Sequence, residues 1–125
     1  MPSPKLQSRA SEAHVVTKAT LRAAAHLDVP NKVLARIVGL SEATISRMGS
    51  GAYTIARDQK PFELALMFLR LYRSLDAILG GDETAAQKWL ISDNAALGTT
   101  PLAAIQSLDG LVNVVAYVDA RRAVG

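Results

Sequence analysis

NKVLARIVGLSEATISRMGS, residues 31–50, holds two short amphipathic segments that meet at Gly39. Leu34, Ala35 and Val38 form one apolar face of a first helix, and Leu40 plugs the joint. Ser41 is placed to cap a second helix whose inward side is Ile45 and Met48. Two helices that cross steeply need a small residue where they touch, here Ala35, and a residue free to take a positive φ at the turn, here Gly39. They also need an aliphatic plug under the second helix, here Ile45. All three stand at helix-turn-helix spacing. Glu42, Ala43, Thr44, Ser46 and Arg47 then point outward. Their mostly short side chains let the backbone approach a major groove, with Thr44, Ser46 and Arg47 nearest the bases and Lys32 and Arg36 nearer phosphates.

The 125 residues are enough for one modest core, read as two regions: a helix-turn-helix part over 1–60 and a second helical part over 61–125. Half the residues are hydrophobic but only 5% are aromatic, so Ala, Leu, Val and Ile fill the core and an all-α fold is expected. With no cysteine there is no disulfide frame, thiolate metal site or thiol nucleophile, and a reducing cytoplasm is the default. No apolar run is long enough to span a bilayer, and the N-terminus lacks a secretory pattern. Residues 1–60 carry nine Lys/Arg against four Asp/Glu, whereas residues 61–125 carry five against seven. The phosphate backbone of double-stranded DNA attracts the first part and not the second.

Around the motif, Met1 to Ser11 reads as a frayed basic arm, and Ser11 caps a helix over Glu12–Leu27. His14 and His26 lie about 120° apart on that helix, which excludes a metal site shared within it. Asp28-Val29-Pro30 breaks the helix and Asn31 caps the next. From Phe62 to Leu79, after Asp58 as cap and Pro61 in the first turn, apolar residues cover nearly the whole circumference of the first half. A helix apolar all round is buried all round. Two faces pack on the two parts of the chain, and the third asks for a second copy, so a homodimer held through Phe62, Leu66 and Leu69 is expected. Gly80-Gly81 ends this helix, Asp82 caps Glu83–Ile91, and 92–99 is a loop. Thr100-Pro101 starts a short helix, and Asp109-Gly110 opens the last one. No Gly-rich phosphate loop, Ser/His/acid set or metal-ligand spacing is present, so neither a cofactor nor catalysis is expected.

Lys88-Trp89-Leu90, Asn94, Ala96-Leu97-Gly98, Thr100-Pro101-Leu102 and the Asp109-Gly110 helix start form a pattern. It resembles the C-terminal toxin-binding domain of Xre/MbcA/ParS-type antitoxins, whose Xre-like helix-turn-helix precedes it in the same layout. Two positions depart from the usual form: Thr99 stands for the second loop glycine, and the chain ends Arg-Arg-Ala-Val-Gly. The resemblance implies a type II antitoxin, a dimer that represses its own operon. Its partner would be a RES-domain toxin, an NAD⁺-consuming enzyme encoded beside it, blocked at the active-site entrance by the antitoxin's C-terminal segment. The contact candidates are Asn94, Leu97 and Gly98 in the loop, and Val118, Asp119, Arg121, Arg122 and Gly125 near the end; Trp89 is read as core. The alternatives are a stand-alone helix-turn-helix transcriptional regulator, whose second half only dimerises or senses a ligand, and a small helical enzyme, which the missing catalytic set disfavours.

Overall fold

Gly39 turns the chain between two helices of eight residues each, α2 (Asn31–Val38) and α3 (Glu42–Gly49). Its φ of 74° is the left-handed conformation that closes α2, and both its own N–H and that of Leu40 donate to the Ala35 carbonyl. The computed structural model describes residues 4–124. The other helices are α1 (Pro4–His26), α4 (Lys60–Ile78), α5 (Glu83–Ile91), α6 (Pro101–Ala104) and α7 (Leu108–Val124). Among the described residues the fold is all-α, as expected, and the one extended pairing is an isolated bridge between Asn94 and Thr99.

α4 is the centre of the molecule. It packs against α1 and α2 on the motif side and against α5 and α7 on the other. Phe62, Ala65, Phe68, Leu69, Leu71 and Leu75 are buried in that position. The all-round apolar surface is therefore met mostly from within the chain. This corrects two of the three expected dimer residues: Phe62 and Leu69 are 4% and 6% exposed inside the protomer, whereas Leu66, at 45%, opens to solvent.

Three boundaries differ from expectation. α1 begins at Pro4 and absorbs most of the expected frayed arm; Met1 to Ser3 lie outside the described residues. Pro4 suits a first turn, Gln7, Arg9 and Ala10 favour helix, and a 3.0 Å ion pair from Arg57 to Glu12 ties the segment down. Asn31 is the first residue of α2 and not its cap. Pro30 takes that place, its carbonyl accepting from Val33 N and Leu34 N. Gln59, not Asp58, precedes α4, without a side-chain cap bond, and Pro61 sits in the first turn as expected. The caps at Ser41, Asp82 and Thr100 all form, accepting from Thr44 N, Ala85 N and Ala103 N. α7 starts at Leu108, where Ser107 Oγ accepts from Gly110 N at 3.2 Å.

Candidate functional site

On the motif, Ser41 ends the turn with its hydroxyl bonded to Thr44 N at 3.0 Å, which sets the direction of α3. Glu42, Ala43, Ser46 and Arg47 are exposed on the outer side of that helix. Thr44 is not: at 9% exposure it is buried, which corrects its expected place at the groove. Its Oγ1 lies 2.8 Å from Ser41 Oγ and accepts from Arg47 Nη2 at 3.0 Å. Thr44 thus acts on the exposed surface through its neighbours Ser41 and Arg47, whose guanidinium it holds. Lys32 and Arg36 are exposed on α2; Arg36 Nη1 reaches Gln106 Oε1 across the molecule at 3.5 Å, at the limit of a hydrogen bond.

Behind the motif, Thr17 on α1 has a part that spacing alone did not reveal. Its buried hydroxyl donates to Ala13 O at 2.7 Å and accepts from Ile55 N at 3.0 Å. The chain leaving α3 is thereby pinned to α1. A buried threonine in an Ala/Val-rich helix is the only sequence signal for it.

The second surface splits in two. In the loop after α5, Asn94 Oδ1 accepts from Ala96 N at 3.0 Å and Leu97 N at 3.3 Å, and its backbone N–H bonds Thr99 O. Asn94 therefore shapes the loop, Leu97 is half-buried against the core, and Gly98 is exposed. At the end of α7, Val118 is fully buried, so its expected partner contact is corrected to core packing. The period of α7 explains this: Leu111, Val114, Val115 and Val118 form its inner stripe. Trp89 is partly buried and packs against that core.

Asp119 lies beside this stripe, between α4 and α7. Arg70 Nη2 meets its carboxylate at 2.7 Å, Ser74 Oγ donates to it at 2.8 Å, and Arg122 Nη1 donates to Ser74 Oγ at 3.3 Å. Arg121 donates to the Tyr117 hydroxyl at 2.9 Å, with its guanidinium carbon 5.4 Å from the ring centre. The two terminal arginines, expected as toxin contacts, have partners within the chain. Gly125 lies outside the described residues. Ser74 is the residue that sequence reasoning missed here; a lone serine in an apolar helix, one turn after Arg70, is its signal.

At the far end of α1 the two halves are tied by His26. Its ring stacks on Tyr72 at 5.9 Å between centroids, its Nδ1 lies 3.4 Å from Glu83 Oε2, and its carbonyl accepts from Gln87 Nε2. Burial, then the carboxylates of Asp76 and Glu83, hold the Tyr72 hydroxyl above the ordinary tyrosine range. Among the described residues no group of three His, Asp or Glu is gathered as a metal site would require, and no helix is long and apolar enough to cross a membrane.

The fold is a helix-turn-helix in a basic half of the chain, joined through one central helix to a small helical module. The comparisons identify both parts. Residues 7–70, just over half the chain, match the antitoxin Xre-like helix-turn-helix domain, and residues 74–123 match the antitoxin Xre/MbcA/ParS C-terminal toxin-binding domain. The chain belongs to the Xre/MbcA/ParS antitoxin family: it is the antitoxin of a toxin–antitoxin system, with a toxin partner and a DNA-binding motif. Antitoxins of this build are typically non-enzymatic. A comparison with curated proteins finds no match.

Proposed function

We propose that this antitoxin neutralises a RES-domain, NAD⁺-consuming toxin by covering its active-site entrance with the end of α7, and that it represses its own operon through α3. The observation that carries the reading is the last turn of α7. Arg121, Arg122, Ala123 and Val124 are helical and exposed, and none of them belongs to the buried core. Such an end can enter a cleft without rearranging the body that bears it. It needs no catalytic group to do so. Asn94, Leu97 and Gly98 provide a second, pre-shaped edge for the same partner.

The proposal includes a homodimer in the cytoplasm, where the operator is, because paired half-sites on DNA ask for two recognition helices. The outer face of α7 supports a seam, with exposed Leu108 and Val112 beside a shallow groove whose one charged lining residue is Asp109. Light scattering that returns a monomer mass at micromolar concentration removes the dimer from this reading.

The test is co-expression with the toxin encoded beside the gene, followed by co-purification and measurement of cellular NAD⁺. The full-length chain protects NAD⁺, while a chain lacking residues 121–125 stays folded and does not. Full protection by the folded truncation moves the inhibitory contact to the region from Asn94 to Leu102. An absence of any complex with the full-length chain ends the neutralisation reading.

A further inference from the structure

We infer that the groove between α1, α4 and the end of α7 receives an acidic, amphipathic helix of the toxin. The inference rests on the toxin-neutralising reading above and names the chemistry of the contact. The groove has a volume of about 740 Å³ next to the end of α7 and continues along α1 and α4 into a second hollow of about 390 Å³. Its floor is apolar: Val15 and Leu66 are 61% and 45% exposed, with Ala19 and Leu69 between them. The α1 wall from Val15 to His26 is about 16 Å long, about three turns of helix. That length suits an amphipathic helix presenting two or three apolar side chains at helical spacing.

The rim decides the charge of the occupant. Lys18, Arg22, Arg73 and Arg122 stand around the floor, and none of them has a carboxylate within 4 Å among the described residues. Among the described residues Asp119 is the one carboxylate lining the groove, and Arg70 and Ser74 already close it. A second copy placed here by a two-fold axis would set these cations against their equals, which is unfavourable. A nucleic acid would meet the cations but leave Val15 and Leu66 without an apolar partner. An acidic helix with one apolar face satisfies both floor and rim. The wall formed by Ser74, Asp119 and Arg122 belongs to the toxin-binding domain, so the groove continues that surface onto α1 of the DNA-binding domain.

The experiment uses the full-length chain and the purified toxin encoded beside it, titrated by calorimetry at two salt concentrations. Lys18→Glu/Arg73→Glu reverses two exposed, unpaired charges, and a circular-dichroism melt equal to wild type establishes that it folds. The expected result is at least a 30-fold loss of toxin affinity, a flattened salt dependence, and recovery in Lys18→Arg/Arg73→Lys. Hydrogen exchange over residues 15–26 slows in the wild-type complex, although these residues lie outside the toxin-binding match. A folded double variant that binds toxin within threefold of wild type overturns the groove and leaves neutralisation standing. Wild type that binds no toxin overturns both. A double variant that keeps toxin affinity but loses operator binding, or changes the mass of the free protein, assigns the groove to DNA or to a second copy and overturns the inference.

Discussion

Replacing Thr44 with Val separates a positioning role from a contact role on the recognition helix. Valine keeps the shape of a side chain that is 9% exposed, and it removes only the hydroxyl. The cap survives, because Ser41 Oγ accepts from the backbone N–H of residue 44 and not from its side chain. Two bonds are lost, the 2.8 Å contact to Ser41 Oγ and the 3.0 Å bond from Arg47 Nη2. Both reach partly solvated groups, so folding stability falls by about 1 kcal/mol or less. The larger effect is on Arg47, which goes from one held rotamer to several. Ordering such a side chain on binding costs about 0.5–1.5 kcal/mol, set against roughly 1–3 kcal/mol for a bidentate arginine–guanine contact. Affinity for the protein's own promoter should therefore fall roughly two- to tenfold, with binding to a scrambled duplex unchanged. Fluorescence anisotropy on both duplexes at equal salt measures this, with Thr44→Ser as the variant that restores the hydroxyl. Equal losses on both duplexes, or no loss on either, refute the role given to Thr44.

Two further outcomes follow from single positions. Gly110→Ala should lower stability by about 2–3 kcal/mol and the melting temperature by roughly 10 °C, because overpacking costs of this order shift a domain of this size by that much. The added Cβ would run into the Ala104 carbonyl oxygen and force α6 away from α7; an unchanged melt contradicts this close approach. Tyr72 gives a pH signature. Its folded pKa is raised, so the folded state holds the proton more tightly. The associated stability is present below the unfolded value of about 10 and is lost as pH rises through the folded one. Urea midpoints should fall across that alkaline window in wild type and fall less in Tyr72→Phe; parallel curves exclude Tyr72 as the cause.

The turn, the caps and the core of the motif were legible in the sequence because each is a local rule. Gly39 answers a backbone need, Ser41, Asp82 and Thr100 answer unpaired N–H groups three residues on, and Ile45 and Met48 follow helical period. The start of α1 was less legible because two prolines and scattered charges look like an arm, and only Arg57, 45 residues further along the chain, adds the long-range tie to Glu12. The burial of Phe62 and Leu69 within one protomer was not legible for a related reason. A helix apolar all round does not say whether its neighbours come from the same chain, and here α1, α2 and α7 supply most of them.

The site residues divide along the same line. Side chains whose role depends on one helix, such as Ser46 and Arg47, lie where period alone puts them. Those whose role depends on a crossing could not be read that way. Asp119 and Arg122 were expected as toxin contacts, yet α7 crosses α4 where Ser74 is buried, and one hydroxyl there accepts from Arg122 and donates to Asp119. The same crossing leaves Arg73, one residue from Ser74 on α4, exposed at the groove with no carboxylate of a described residue within 4 Å. A cation that gains nothing internally from its place, beside an apolar floor, has its electrostatic partner outside the chain or in water. Water does not cover Val15 and Leu66 favourably, and an acidic amphipathic helix covers both floor and rim.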